Sequence, residues 1–458
     1  MRVAMIGAGY VGLTTGACLA QLGHTVTCID IDERKIADLR EGIIPIYEPG
    51  LDELVQSNSQ LNRLQFSFEL ASSVATADAV FLAVGTPSRP GGAIDLSFVE
   101  AAAREIAPAI PGDCVVVVKS TVVAGTAKRL REIIAEARGG LDFSVASNPE
   151  FLREGSAVSD FLNPDRIVVG TDDRRAASVM RSLYAPLLEQ GVPCVFTTTT
   201  NAEMIKYAAN AFLALKIGFI NEVADLCEQI GGDVKAVAEG IGLDRRIGSA
   251  FLAAGPGFGG SCFPKDTRAF AAIGRKVGAP QTLVETLIER NEKRKANVGR
   301  RILEELGAVA PGAHVAVLGV AFKANTDDVR EAAALSIIPL LQEAGCIVHA
   351  YDPEADAAAL LPGVSWHASA YEAARGADLT VVLTEWDEFR SLDLRKLAAT
   401  MTGETLFDCR NLFEPAAVGE AGLRYVAIGR TPADQRRPPR RPGRASTVTG
   451  ARVVASPS

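Results

Sequence analysis

Cys262 lies within Gly257-Phe258-Gly259-Gly260-Ser261-Cys262-Phe263-Pro264-Lys265-Asp266. A run so rich in glycine makes a poor core element, because each glycine brings backbone freedom that folding must freeze. It suits a loop whose backbone closes on a ligand. Lys265 and Asp266, three and four residues beyond the thiol, offer a cation to favour the thiolate and a carboxylate to handle protons or water. A cysteine that only fills a core needs none of these neighbours. Cys262 is therefore read as a nucleophile.

A second chemical feature opens the chain. In Gly7-Ala8-Gly9-Tyr10-Val11-Gly12 the three glycines follow a short apolar run and precede a helical one. Backbone amides and the helix N-terminus, with Tyr10 and Val11 in its first turn, then face a pyrophosphate. The G-x-G-x-x-G spacing alone is weak evidence. It gains specificity from Asp30 at the end of the next strand, where a carboxylate accepts ribose hydroxyls and repels a 2′-phosphate. NAD is thus favoured over NADP. FAD uses the same turn, but the second cofactor-contacting segment it requires is not found. Lys35, in the next helix, is read either at the adenosine edge or facing solvent.

Rigid elements must hold these groups. Strand 3–6, the glycine turn, helix 10–22 and strand 25–29 form a βαβ unit. Apolar strands at 79–84, 114–119 and 144–146 alternate with alanine-rich helical segments, as a doubly wound parallel sheet requires. The fold class is α/β, with an N-terminal Rossmann-type domain over residues 1–195. Apolar residues at helical spacing (Met204, Ala208, Ala211, Leu215, Phe219, Val223) predict a long helix over 200–230, and a second covers 281–306. Residues 196–305 form a central helical region around the cysteine loop. Long helices with two apolar faces often pair across subunits, so a homodimer or higher homo-oligomer is expected.

A third unit runs through strand 314–318, helix 334–344 and strand 347–351, ending in Asp352-Pro353. It echoes the first. The turn Gly319-Val320-Ala321-Phe322-Lys323 lacks the glycine spacing that lets a backbone wrap a pyrophosphate, so residues 306–430 are read as a degenerate nucleotide fold holding a different nucleotide. Residues 431–458, with Arg436, Arg437, Pro438, Pro439, Arg440, Arg441 and Pro442, have too little apolar content to fold and are expected to form a disordered basic tail.

Composition narrows the function classes. At 458 residues the chain exceeds one ordinary core, and 48% apolar with 22% charged residues is a globular balance. A net charge of -8 argues against nucleic acid as partner, while local basic sites still admit an anionic substrate. The eight cysteines are scattered, without a C-x-x-C pair or zinc-ligand spacing, which points to no metal and to a reduced, cytoplasmic protein. The chain begins with a strand, so no leader is expected, and the most apolar helical stretch, 211–220, contains Lys216 and is too short for a bilayer. No membrane anchor is expected. The histidines at 24, 314, 349 and 367 fall outside every motif, and none is assigned to catalysis.

Taken in order, Gly7 to Gly12, Val84-Gly85-Thr86-Pro87, Lys119-Ser120-Thr121-Val122, Asn148-Pro149-Glu150-Phe151-Leu152-Arg153-Glu154-Gly155, Lys206 with Asn210, the Cys262 loop, and Phe322-Lys323 with Arg330-Glu331 resemble the UDP-glucose 6-dehydrogenase family over residues 1 to about 430. The resemblance implies an NAD-binding domain, a central dimerising helical region and a UDP-binding domain. It makes Cys262 the nucleophile, with Lys206, Asn210, Asp266, Glu150, Glu154 and Thr121 around the reacting carbon. It adds Thr86, Thr121, Glu154, Lys265 and Arg330 to the cofactor contacts. For UDP-glucose it implies Glu150, Phe151, Leu152, Arg153, Glu154, Lys206, Asn210, Phe251, Leu252, Gly255, Gly259 and Lys323, with Arg246 reaching the substrate of a neighbouring subunit. The loop Ala253-Ala254-Gly255-Pro256 departs from the pattern, lacking the lysine that relatives often carry.

Chemistry asks for such a set independently. Oxidising a primary alcohol to an acid needs two hydride transfers, and the aldehyde between them has no alkoxide-bearing carbon to release the second. A thiolate adds to it, oxidation of the adduct gives a thioester, and water releases the acid. Lys206 suits the developing oxyanion, and Asp266 or Glu154 the hydrolytic water. Other readings remain at this point. Lys206 is a face residue by default, Glu150 also suits a cap, and turn formation alone accounts for Ser120 and Thr121. The same chemistry on GDP-mannose or a UDP-N-acetylhexosamine, a two-electron hydroxy-acid dehydrogenase, and a binding module without turnover stand as alternatives.

Overall fold

The computed structural model describes residues 1–431 apart from Leu141; the basic segment expected as a tail lies, from residue 432 on, outside the described residues. Two parallel-type sheets carry the molecule. The first contains β1 (Arg2–Ile6), β2 (Thr25–Ile29), β3 (Leu64–Ser67), β4 (Ala79–Leu82), β5 (Val115–Val118), β6 (Ser144–Ser147), β7 (Ile167–Gly170) and β8 (Cys194–Thr197). Their order is β3-β2-β1-β4-β5-β6-β7-β8. Strands such as the four valines of β5 are buried along their whole length, because helices cover both faces. Met5, Phe81, Val115 and Val117 fill one side of the sheet, and Ala4, Val80, Leu82, Val116 and Val118 the other.

Register sets where chemistry can sit. Ile6 pairs with Ile29 and with Leu82, Leu82 with Val118, and Val118 with Ser147. The segments that follow these strands therefore leave the sheet along one edge: the glycine turn, Asp30, Val84–Thr86, Ser120–Thr121 and Asn148–Glu150. The order reverses between β1 and β4, the position where open α/β sheets bind ligands. One feature departs from a fully parallel sheet. β6 and β7 pair antiparallel, and β8 follows β7 in parallel, so the last two strands run opposite to the rest.

The helix Thr199–Ile230 is 32 residues long, about 48 Å at 1.5 Å per residue. The Thr198 side chain caps its start by accepting from the Asn201 amide, and Gly231 at φ +80° ends it. It packs against the helices Phe263–Lys276 and Thr282–Leu306. Both long helices match their predicted spans to within a residue, while the short helix Val234–Gly242 between them is new.

The second sheet has β9 (His314–Leu318), β10 (Ile347–Tyr351), β11 (Ser365–Trp366), β12 (Leu379–Val382), β13 (Thr405–Asp408) and β14 (Arg424–Ala427), ordered β11-β10-β9-β12-β13-β14 and all parallel. The echo of the first unit is close. Gly319 takes φ +91° as Gly7 takes +99°, and Asp352 accepts the amides of Val320 and Ala321 as Asp30 accepts that of Ala8. The second turn packs more tightly inside. A Cβ on Gly319 would lie 2.3 Å from Thr384, and the Trp386 indole donates to Asp352. The two sheet edges meet tightly, for a Cβ on Gly155 would lie 2.2 Å from the Asn325 carbonyl oxygen.

Candidate active site

The glycine turn is tight inside and open outside. A Cβ on Gly12 would lie 1.8 Å from the Gly7 carbonyl oxygen, whereas one on Gly9 meets nothing within 4 Å. Helix Tyr10–Gln21 starts here, so its first amides face the open side. Asp30 Oδ2 accepts from the Ala8 amide at 2.9 Å and pairs with Lys35 Nζ at 3.0 Å. Burial pushes the Asp30 carboxyl up, but the Ala8 and Asp32 amides and then Lys35 outweigh it and hold it below the usual carboxylate range. A charged carboxylate beside an open amide cradle fits the adenosine ribose and pyrophosphate of NAD. Of the two readings of Lys35, the structure shows it on Asp30.

The reacting centre forms where the long helix crosses the cysteine loop. Lys206 and Asn210 are one turn apart on the buried face of Thr199–Ile230. Lys206 Nζ pairs with Glu150 Oε1 at 2.8 Å, with the two side chains 3% and 5% exposed. Asn210 Nδ2 donates to Asp266 Oδ2 at 2.6 Å, and Lys265 Nζ donates to Asp266 Oδ1 at 2.6 Å. Cys262 is the N-cap of helix Phe263–Lys276, and Asp266, in that helix's first turn, donates its amide to the Cys262 carbonyl. Ser261 Oγ donates to Glu154 Oε1 at 2.6 Å and stands 3.5 Å from the Cys262 sulfur.

Electrostatics corrects one expectation. Lys265 is held by Asp266, and the cation acting on the thiol is Lys206. Burial first, then Glu150, push the Cys262 thiol up to about 11, with Lys206 opposing and Asp266 adding. Burial thus favours the neutral thiol over the thiolate at Cys262. Lys206 stays charged because Glu150 foremost, then Cys262 and Asp266, outweigh the burial that would lower it. Glu150 stays ionised because Lys206 and the Leu152 amide outweigh its burial. Its cap reading is half right: Glu150 Oε2 accepts the Leu152 amide at 2.7 Å, but in a turn and not at a helix start. Glu154 behaves differently, pushed up to about 7 by burial and then by the Asp328 carboxylate.

Other motif residues surround this centre. Arg330 sits 3.6 Å from Glu154, and Thr121 and Thr86 are on the loops of the same sheet edge. Gly260 donates its amide to the Arg330 carbonyl, and a Cβ on Gly259 would lie 2.4 Å from the Glu331 carbonyl oxygen, so the cysteine loop is strapped to the third unit. Phe151 has Arg166 stacked at 3.7 Å and Lys206 at 5.4 Å from its ring centre. Leu152 packs into the first core and Arg153 forks onto Asp160. Lys323 is half-buried, lowered by that burial and opposed first by Glu154. Leu252 is buried; Phe251 takes φ +64°, and Gly255 gives its amide to Asn221. Arg246 stands apart: its side chain is 88% exposed and forked onto Asp244.

Two residues, Glu48 and Arg410, escaped the sequence reading, and Lys119 entered it only within a motif, with no role of its own. Glu48 is buried, accepts the amides of Gly155 and Ala157 at 2.6 and 2.7 Å, and takes the Tyr10 hydroxyl, joining the cofactor turn to the Glu154 loop. Lys119 is buried behind Glu150, bonded to Asn148 at 3.1 Å, and lowered to about 8 by burial. Arg410 bonds the Phe322 carbonyl at 3.0 Å and would stand 3.1 Å from a Cβ on Gly255, adding a cation beside Lys323. Tyr47-Glu48-Pro49 and Cys409-Arg410 carry no periodicity that marks them. Among the described residues no group of His, Cys, Asp or Glu forms a metal cluster, and no helix is long and apolar enough to cross a membrane.

Comparison with known proteins places this geometry. Residues 1–188, 200–293 and 316–415 match, in turn, the NAD binding, central and UDP binding domains of the UDP-glucose/GDP-mannose dehydrogenase family. The chain is 52% identical over 435 residues to the UDP-glucose 6-dehydrogenase of Rhizobium meliloti (strain 1021), covering 94% of this chain and all of that one. It is 46% identical to UDP-glucose 6-dehydrogenase TuaD of Bacillus subtilis (strain 168), covering 94% and 93%. Its fold is similar, at TM-score 0.86 and 40% identity over 94% and 98% of the chains, to a UDP-glucose dehydrogenase from Pyrobaculum islandicum.

Proposed function

This chain belongs to the UDP-glucose/GDP-mannose dehydrogenase family, and from that premise we propose how its residues oxidise UDP-glucose to UDP-glucuronate with NAD. The enzyme is an NAD-dependent oxidoreductase. The observation that supports the assignment of roles is the buried Lys206–Glu150 pair beside the Cys262 thiol. NAD, bound at Gly7–Gly12 and Asp30, supplies the hydride acceptor for both oxidations.

The first oxidation takes a hydride from C6 and a proton from its hydroxyl, leaving an aldehyde. Lys206, charged and held by Glu150, stabilises the oxyanion character of that oxygen. The Cys262 sulfur then bonds to the aldehyde carbon as the carbonyl π bond breaks. The thiol proton leaves as the sulfur attacks, and the oxygen regains one to give the thiohemiacetal. A second loss of hydride and proton forms the thioester. Asp266, fixed by Asn210 and Lys265, orients the water whose oxygen replaces sulfur, releasing the carboxylate and restoring the thiol. Three protons leave per sugar nucleotide.

Glu154 contacts both the cysteine loop and the cofactor-side Arg330, and Thr121 and Thr86 are assigned to the nicotinamide side. Lys323, Phe251, Leu252, Gly255, Gly259 and the loop Phe151–Glu154 are assigned to the sugar nucleotide. We further propose a homodimer through the long helix, with Arg246 serving the neighbouring site, a domain division near residues 195 and 305, and residence in the cytoplasm, which the free state of all eight cysteines supports.

The test is stoichiometry. UDP-glucose as sole substrate should give two NADH per sugar consumed, with GDP-mannose and UDP-N-acetylglucosamine run in parallel. One NADH per turnover, or faster turnover of a competing sugar, would remove the assignment. Cys262→Ala should lose UDP-glucuronate formation by on the order of a thousandfold or more while still binding NAD.

A further inference from the structure

Glu203 is a buried carboxylate that the mechanism does not use. It is 2% exposed, lies on the long helix one turn before Lys206, and has no lysine or arginine paired with it among the described residues. Its two oxygens instead reach across to the first domain. Oε2 accepts the Gly125 amide at 2.6 Å and Oε1 the Ala127 amide at 2.8 Å, at the start of helix Thr126–Arg138. Those amides end the loop that leaves β5 and carries Thr121. The other end of the same loop is tied to β4: the Lys119 and Ser120 amides both donate to the Leu82 carbonyl at 2.9 and 3.0 Å, and Ser120 Oγ to the Val84 carbonyl at 2.6 Å.

We propose that Glu203 is a positioning residue, which sets the height of the Thr121 loop against the helix that presents Lys206 and Asn210. One rigid helix then holds both sides of the reaction. Its first inward turn fixes the loop assigned to the nicotinamide, and its next two present the groups assigned to the sugar carbon. Burial without a cation pushes Glu203 up to about 7, and the Ala127, Gly125 and Thr126 amides oppose that rise by stabilising the ionised form. What the carboxylate offers over an amide side chain is two acceptors in one plane, able to take two amides at once. This inference rests on the placing of Thr121 beside the cofactor.

The experiment compares Glu203→Gln, Glu203→Ala and Thr121→Ala as full-length enzymes, with initial rates against NAD and against UDP-glucose and with melting temperatures. Glu203→Gln keeps the shape and replaces one acceptor with a donor, so one of the two amide contacts is lost while the protein should melt within a few degrees of the parent. Its kcat/KM for NAD should fall by about tenfold to a hundredfold, as expected for a reacting geometry displaced by roughly an ångström. KM for UDP-glucose should stay unchanged, and Glu203→Ala should be worse on NAD in the same sense. A staple without a positioning role lowers the active fraction and leaves both KM values alone. That outcome, with Thr121→Ala impaired on NAD, overturns the proposal and spares the site. A Thr121→Ala enzyme with parental NAD kinetics overturns the site reading and the proposal together.

Discussion

At the scale of single residues, Lys206 and Glu150 show how burial turns a pair into a requirement. Two charges lose their hydration in this pocket, and each is kept ionised mainly by the other. Removing one partner of such a pair typically costs about 3–5 kcal/mol, because the survivor is left charged and unpaired. Lys206→Met should therefore lose stability as well as rate in thermal melts. Adding Glu150→Gln should recover most of the stability and none of the rate; recovery of turnover would deny Lys206 its role at the oxyanion. Glu154 poses a separate test through pH. Its carboxyl is pushed above the ordinary range to about 7, so it holds a proton through mildly acidic solution and becomes anionic only as pH rises past that value. If the anion is the working form, kcat/KM should fall tenfold per unit below about pH 7, and the Glu154→Gln profile should be flat there at a low plateau. A parental profile in that variant would assign the limb elsewhere.

Among elements, the cysteine loop depends on its fit to the third unit. Gly260 takes φ +82°, and a Cβ there would come within 2.7 Å of the Phe322 ring, so a side chain adds strain to a collision. Gly260→Ala should destabilise the protein by about 1–3 kcal/mol and, by tilting the loop, depress kcat more than NAD affinity; an unchanged kcat would detach the loop's posture from catalysis. The same element shows what was legible beforehand. Glycines, Cys262 and Asp266 declare themselves by spacing, and apolar runs declared β1, β2, β4, β5 and β6, but not β3, whose Leu64-Gln65-Phe66-Ser67 is too short and mixed to stand out. Direction was not declared. A run such as Ile167–Gly170 is apolar whichever way it points, so the antiparallel turn from β6 to β7 left no trace. Glu48 and Glu203 were equally silent, for their partners lie 107 and 78 residues away and ordinary carboxylates carry no local mark of the fold that buries them. The thiol was misjudged for a similar reason: proximity in sequence pointed to Lys265, while packing brought Glu150 and Lys206.

For the whole molecule, the long helix has more apolar surface than one chain can cover. Phe212, Phe219 and Leu226 follow one another at steps of seven, with Ile230 beyond, and all are more than half exposed. Seven-residue steps keep these side chains on one stripe. A stripe of this length is far more than the scattered apolar groups of an ordinary surface, and a two-fold partner presenting the same face would bury it. Arg246, exposed in a single chain, is then free to face the partner's centre. Each Phe219 buried in such an interface contributes about 1.5–3 kcal/mol, and symmetry counts it twice, so Phe219→Glu should weaken association by about two to four orders of magnitude. Sedimentation at micromolar concentration should show the parent as a dimer and the variant as a monomer. If Arg246 serves the neighbouring site, the monomer should also show a raised KM for UDP-glucose with NAD binding intact. Arg246→Ala should reproduce that defect without dissociating the dimer. A monomeric parent would leave the stripe unexplained and return Arg246 to the solvent it faces in a single chain.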